Sequence, residues 1–285
     1  MEEGGKHKMT KLPPPKRVDL RCKPPIPYWG SKVKLAPKII ALMPQHTCYV
    51  DVFGGSGAVI LAKAPAKVDV YNDIDGDLVN MYRVIRDPAK FEELVRLCEL
   101  QPYSRDDYNR YKADGFGGMT DTERASAFIM LVNSSMSGKI GSGFGITNKG
   151  HYTPIMSYLQ RVFRLPDIHN RMRGVFIENL SFDKLLHKYD DPWTCFYLDP
   201  PYLPSTRVST NDYRNEGGYA LHVNLLPMLY RLRGGVVLSG YPGSIYDMLE
   251  SKGFTRHEFG CTTSGNALSC LKSSRTEVVW VRGPL

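Results

Sequence analysis

The strongest chemical signal in this chain is the run Asp199-Pro200-Pro201-Tyr202, placed directly after the apolar segment Cys195-Phe196-Tyr197-Leu198. Two prolines at the end of a strand remove two backbone N–H donors and set φ at both positions. What remains is a group of acceptors, the Asp199 carboxylate and the Pro200 carbonyl, beside the flat π face of Tyr202. Two acceptors and a stacking face suit an exocyclic amino group on a planar base. Such an amine is a poor nucleophile because its lone pair is delocalised into the ring. Two hydrogen bonds from its N–H groups pull the nitrogen toward sp³ and aim the lone pair at an electrophile, an assistance of orientation and electrostatics. Asp199, Pro200 and Tyr202 are therefore the catalytic candidates.

A second pattern lies upstream. Asp51-Val52-Phe53-Gly54-Gly55-Ser56-Gly57 follows the strand-like run CYVDV and opens a helix-like run. Glycines there let the backbone approach a ligand closely, and the amides of a helix N-terminus point at it. The turn is not a G-x-G-x-x-G fingerprint, since Ile60 stands where the third glycine would fall. Asp73 ends the next strand-like run, where an acidic side chain in a doubly wound sheet can accept hydrogen bonds from ribose hydroxyls. The pair points to an adenosine-containing cofactor at the carboxyl edge of a parallel sheet.

The elements needed to position these groups are legible as alternation. Strand-like runs are CYVDV (48–52), VDVY (68–71), VFIE (175–178), CFYLD (195–199), VVLSG (236–240) and TEVVWV (276–281). Between them lie AVILAKA after the glycine turn, a stretch at 77–85 with Leu78, Met81, Tyr82 and Ile85 on one helical face, and helices expected over 219–233 and 244–252. This rhythm predicts an α/β fold with a mainly parallel sheet covered by helices on both faces. Residues 91–174 break it with charged helical stretches and the loop NSSMSGKIGSGFGITNKGHYT at 133–153, and they read as an insertion between the second and third strands. Tyr103, Tyr108 and Tyr111 have helical spacing and read as core, and His222 as a structural or capping group.

Composition bounds the partners. The 285 residues carry 42% hydrophobic and 23% charged side chains, ordinary values for a folded globular chain. No apolar run reaches the ~20 residues of a membrane span, and the first ten residues lack a signal-peptide core, so no membrane partner is expected. The net charge is +8, and residues 1–23 supply half of it through seven basic and three acidic side chains. That segment, with Pro13-Pro14-Pro15, reads as a flexible basic arm, and the excess charge is compatible with a polyanion. The six cysteines form no C-x-x-C pair, so no metal is expected, and a reducing cytoplasm fits them.

With these residues in view, the chain resembles the D12-class (Dam-like) DNA adenine-N6 methyltransferases, which use S-adenosylmethionine. Four segments carry the resemblance: Pro27-Tyr28-Trp29-Gly30-Ser31-Lys32, an aromatic residue four positions before a lysine; Phe53-Gly54-Gly55-Ser56-Gly57, an F-x-G-x-G loop; Asn72-Asp73-Ile74-Asp75; and Tyr197-Leu198-Asp199-Pro200-Pro201-Tyr202. Their order also fits, and the resemblance spans about residues 24–285. The chain departs from the family at Tyr28, where Trp is frequent, and at Trp29-Gly30-Ser31, where the family has Ala-Gly-Gly.

The resemblance implies a Rossmann-like methyltransferase fold with a mainly parallel, doubly wound sheet and an inserted, mostly helical target-recognition domain. The catalytic domain would comprise 24–90 and 175–285, with 91–174 as the insertion and 1–23 as the arm. It further implies S-adenosylmethionine as cofactor, held by Tyr28, Lys32, Phe53, Gly55, Gly57, Asp73 and Asp199. Duplex DNA would be the partner, in the cytoplasm at the nucleoid, with monomer and homodimer both open. Lys139, Asn148, Lys149, His151 and Tyr152 on the polar loop, and Arg207 and Arg214 after Tyr202, mix phosphate-contacting with base-reading chemistry and are the DNA-binding candidates. Other readings of the same pattern are transfer to cytosine N4, to RNA adenine or to a protein Gln amide, a catalytically idle DNA-binding regulator, and an NAD oxidoreductase, which leaves Asp199–Tyr202 without a purpose.

Overall fold

The computed structural model describes residues 22–146, 153–202, 218–243, 245–262 and 274–285. In chain order the elements are α1 (Ala36–Ala41), β1 (Cys48–Asp51), α2 (Ala58–Ala62), β2 (Val68–Asn72), α3 (Gly76–Arg86), α4 (Pro88–Leu100), α5 (Arg105–Asp114), α6 (Asp121–Ser134), α7 (Pro154–Val162), α8 (Leu165–Met172), β3 (Val175–Glu178), α9 (Phe182–Tyr189), β4 (Thr194–Leu198), α10 (Gly218–Leu229), β5 (Gly235–Gly240), β6 (Thr255–Thr262) and β7 (Ser274–Arg282). The strands form one sheet in the order β3-β2-β1-β4-β5-β7-β6. The first five are mutually parallel, and β7 runs antiparallel to both β5 and β6. This is the mainly parallel α/β sheet of a Rossmann-like methyltransferase fold.

Alternation along each strand sends side chains to opposite faces. Tyr49, Tyr71, Tyr197, Val237 and Val279 enter one buried layer, and Val50, Val70, Phe196, Val236 and Val278 enter the other. The first layer is built with α1, α3, α6 and α8. The second is built with α9 and α10, together with Tyr246 and Trp280. Local signals set the helix starts. Asp75 accepts from the Asp77 amide to cap α3, and Asp87 caps α4 with Pro88 in the first turn. A reciprocal Thr120–Glu123 capping box opens α6.

The described residues between β2 and β3 are mostly helical, and many of their apolar side chains join the sheet's own core. Leu94, Cys98, Tyr108, Tyr111, Phe128 and Ile129 belong to the same buried layer as Tyr49 and Tyr71. Residue 91 falls within α4, so the helix that begins beside the sheet continues into the inserted region. Tyr108 and Tyr111 are core residues of α5; Tyr103, expected to share their helical spacing, precedes that helix and lies partly buried against Phe144 and Tyr158.

Several elements differ from the sequence expectation, among them the helices α1 and α9, which it did not include. β6 was not foreseen: its run Thr255-Arg256-His257-Glu258-Phe259 is polar because an edge strand has a single neighbour and one open side. The helix expected over 219–233 stops at Leu229, before Gly234-Gly235, and that expected over 244–252 is a 3₁₀ helix at Asp247–Lys252.

Arg282 locks the end of α10 to the sheet. Its guanidinium donates to the carbonyls of Leu229 (3.0 Å), Tyr230 (3.2 Å), Leu232 (2.5 Å) and Gly234 (3.0 Å) from a buried position. A cation at a helix C-terminus satisfies carbonyls that lack intrahelical partners. Replacing Arg282 by Met strands four buried acceptors and is expected to lower the unfolding free energy by about 2–4 kcal/mol. Urea denaturation checks this; a loss under about 1 kcal/mol would mean other groups already satisfy those carbonyls.

Candidate active site

The sheet order reverses between β1 and β4: β2 and β3 extend to one side of β1, and β5 to the other side of β4. In open α/β sheets the crevice beyond the carboxyl ends of such a pair binds ligands. Here Asp51, the last residue of β1, pairs in register with Tyr197 of β4, so the glycine turn and the Asp199 segment leave the sheet side by side. A cavity opens at this point. Its lining draws on Tyr28 and Lys32 from the N-terminal loop, Asp51, Phe53 and Gly55 after β1, Asp73 and Asp75 after β2, and Asp199 and Pro201 after β4.

The glycine turn owes its path to backbone freedom and close packing. Gly55 and Gly57 have positive φ, of 50° and 69°. A Cβ on Gly54 would lie 2.2 Å from the Tyr71 ring. Asp73 ties the turn to β2: its Oδ2 accepts from the Gly55 amide and its Oδ1 from the Asp75 amide, each at 2.8 Å. Burial pushes its carboxyl up to about 6, against the lowering by those two amides. Gly57 stands behind the cavity rather than on its wall. There it forms the left-handed N-cap of α2, packed on the Tyr82 hydroxyl.

Lys32 is buried, and its Nζ sits 2.8 Å from Asp199 Oδ2, 3.0 Å from the Gly30 carbonyl and 3.5 Å from Glu277 Oε1. The Tyr202 hydroxyl reaches Asp199 Oδ1 at 3.1 Å and also donates to Glu277 Oε1. Its ring lies under Lys32 Nζ at 4.8 Å and against the Tyr241 ring, centroids 4.5 Å apart. Burial holds the carboxyls of Asp199 and Glu277 above the usual carboxylate range, and the Lys32 ammonium opposes it in both. Pro200 is buried behind Asp199, and the cavity lining does not include Tyr202.

Two residues to which sequence reasoning gave no role, Asp51 and Glu277, belong to this site, and a third, His222, supports it. Asp51 is 1% exposed, and its Oδ1 is a buried acceptor with no hydrogen-bond partner among the described residues. Burial, then the negative charges of Asp199 and Asp73, drives its carboxyl well above the usual range. Glu277 was read only as the start of a strand. His222, rightly placed as structural, supports the site directly. Its Nε2 donates to the Pro201 carbonyl at 3.0 Å, and its Nδ1 lies 2.6 Å from the Tyr246 hydroxyl. A carbonyl only accepts, so Nε2 carries a proton.

Comparison with known proteins gives the family of the chain. Residues 28–232 match the family of D12 class N6 adenine-specific DNA methyltransferases. The chain belongs to that family. It is 26% identical over 281 residues to the type II methyltransferase M1.LlaDCHI of Lactococcus lactis subsp. cremoris, covering 92% of this chain and 95% of that protein. It is 25% identical to the type II methyltransferase M.MjaIII of Methanocaldococcus jannaschii over 67% of this chain and 73% of the relative. It is also 26% identical to a DNA N-6-adenine-methyltransferase of Escherichia phage P1, over 89% of this chain but only 34% of that longer protein. The protein is thus an adenine-specific DNA methyltransferase.

Of the DNA-binding candidates, Asn148, Lys149, His151, Tyr152, Arg207 and Arg214 lie outside the described residues. Lys139 follows the 3₁₀ turn Met136–Gly138, with its Nζ 5.9 Å from the Trp29 ring centroid at the cavity rim. Gly138 presses on the Pro27 carbonyl so closely that no Cβ fits, and Asn133 donates to the Pro25 carbonyl at 3.2 Å. The inserted region therefore touches the loop that carries Tyr28 and Lys32. Among the described residues no cluster of His, Cys, Asp or Glu is arranged to hold a metal ion, and no helix is long and apolar enough to cross a membrane.

His222→Ala removes the donor to Pro201 and the partner of the Tyr246 hydroxyl. At a temperature where the variant is folded by circular dichroism, DNA methylation should fall more than tenfold. The unfolding free energy should fall by about 1–3 kcal/mol. An unchanged methylation rate would show that the Asp199–Tyr202 segment holds its shape without this support.

Proposed function

We propose that this methyltransferase transfers the methyl group of S-adenosylmethionine to N6 of an adenine extruded from duplex DNA, at a specific sequence. The observation that carries this reading is the charge of the cavity: four aspartates, Asp51, Asp73, Asp75 and Asp199, line it against one lysine, Lys32. Such a wall favours a cationic ligand. S-adenosylmethionine, when bound, supplies an electrophilic methyl group on a positively charged sulfur. The buried Asp51 Oδ1 needs a donor, and an ammonium group fits that need. Tyr28 and Phe53 offer flat faces for an adenine ring, and Asp73 offers carboxylate lone pairs beyond those held by its two amides.

At the reacting end, Asp199 accepts an N–H of the adenine amino group, with the Pro200 carbonyl as second acceptor and Tyr202 as the face for the base. Extrusion of the base costs a few kcal/mol, which contacts from the basic surface offset. Residues 24–90 and 175–285 form the catalytic part. Target recognition is assigned to 91–174, through Lys139 and the neighbouring Asn148, Lys149, His151 and Tyr152, with Arg207 and Arg214 on the phosphates.

Asp199→Ala is expected to cut the single-turnover rate by well over tenfold, since a charged hydrogen bond contributes roughly 1.5–3 kcal/mol and misorientation adds to it. Retention of more than a tenth of the wild-type rate would refute the assignment. Cofactor affinity should also depend on pH in a defined direction. Asp73 protonates as pH falls through about 6, which removes acceptor capacity at the ribose. Calorimetry should find S-adenosylmethionine binding level above that pH and weaker below it, and the Asp73→Asn variant should bind more weakly throughout with a flatter dependence. A wild-type affinity that does not weaken below pH 6 would exclude Asp73 as a cofactor contact.

A further inference from the structure

Glu277 is a buried carboxylate that the transfer reaction, as described, does not use. It stands near the start of β7, one residue before Val278, which pairs with Gly240 at the end of β5. Because β7 is antiparallel, its first residues lie at the carboxyl edge of the parallel strands, over the active site. The side chain is 6% exposed. A carboxylate at that depth requires polar partners, and those the structure shows are the Tyr202 hydroxyl of the reacting segment and Lys32 Nζ, which also contacts Asp199.

The hydroxyl poses a competition. Tyr202 has one O–H to donate and two carboxylates in reach, Asp199 Oδ1 at 3.1 Å and the closer Glu277 Oε1. Lys32 already occupies Asp199 Oδ2 at 2.8 Å. If Tyr202 also donated to Oδ1, both Asp199 oxygens would hold protein donors and the carboxylate would be a weaker acceptor for an incoming amine. We propose that Glu277 is a positioning residue for methyl transfer: it draws the Tyr202 hydroxyl and part of the Lys32 charge away from Asp199, leaving Oδ1 to accept the N–H of the adenine amino group. This rests on the role given to Asp199 above.

The competition predicts an uncommon pattern of variants. Glu277→Gln keeps the side-chain shape but offers a neutral acceptor, so the Tyr202 proton turns to the charged Asp199. The single-turnover rate, with enzyme in excess, saturating S-adenosylmethionine and amplified, unmethylated genomic DNA, should fall at least tenfold. Cofactor affinity by calorimetry should stay within threefold. Adding Tyr202→Phe should then raise the rate above that of Glu277→Gln alone, because the competing donor is gone.

The pH profile gives a second readout. The charged and titratable groups around Glu277 among the described residues are Lys32, Asp199, Tyr202 and Tyr197. Losing the negative charge beside Asp199, with donors shifted onto it, stabilises its ionised form, so the acid limb of the rate profile should move to lower pH. A purely structural role would lower the rate evenly at all pH values. If Glu277→Gln does not fold, Glu277→Met, which keeps the buried volume and removes the acceptor, takes its place in both experiments. A rate within threefold of wild type, or a loss that Tyr202→Phe deepens without a shift of the acid limb, overturns the proposal. Absence of adenine methylation by the wild-type protein on the same DNA would instead overturn the functional reading on which it rests.

Discussion

The pairing of β1 with β4 is the constraint on which the rest of the site depends. These strands are 146 residues apart at the register pair Asp51–Tyr197, yet their parallel alignment brings the glycine turn and the Asp199 segment to one edge of the sheet. The strand order reverses at this pair, with β2 and β3 on one side and β5 on the other, and a crevice opens where the acidic groups end. A slip of one residue would turn Asp51 and the side chains preceding it to the opposite face. The two apolar layers oppose such a slip, because they need Tyr49 and Tyr197 on one side and Val50 and Phe196 on the other.

The electrostatics of the crevice follow from that convergence. Asp51, Asp73, Asp199 and Glu277 arrive from β1, β2, β4 and β7, and burial raises the carboxyl of each above its ordinary range. Lys32 compensates two of them by direct contact. Carboxylates gathered this way are costly to the free protein and favourable toward a cation, so part of the binding strength for a positive ligand is stored as mutual repulsion. The prolines add rigidity: with no N–H of their own, they rely on carbonyl bonds such as that from His222 to Pro201.

The inserted region is not an appendage on the sheet. Its helices complete one of the two core layers, and its turn at Met136–Gly138 rests on the loop that supplies Tyr28 and Lys32. The segment proposed to read DNA and the loop proposed to hold the cofactor thus touch directly, at Gly138–Pro27 and Asn133–Pro25. In a close-packed interior small displacements at one end of such a contact are transmitted rather than absorbed.

Much of this protein was determined by sequence alone. Strand periodicity marked six of the seven strands of the sheet, and the segments Pro27–Lys32, Phe53–Gly57, Asn72–Asp75 and Tyr197–Tyr202 carried the resemblance to the family; the same four segments supply most of the cavity lining. These signals are local: a proline pair, a glycine run and an alternation each act within a few residues of the chain. Only the tertiary structure decided the rest. β6 escaped because an open edge imposes no apolar pattern. Asp51 read as the end of a strand, and only the convergence of four strand ends makes its Oδ1 a buried acceptor without a donor among the described residues. Glu277 stands 75 residues from Tyr202 in the chain, on a strand whose antiparallel entry into the sheet carries it over the site. Burial and partnership are properties of neighbours brought from afar, and no short window of sequence contains them.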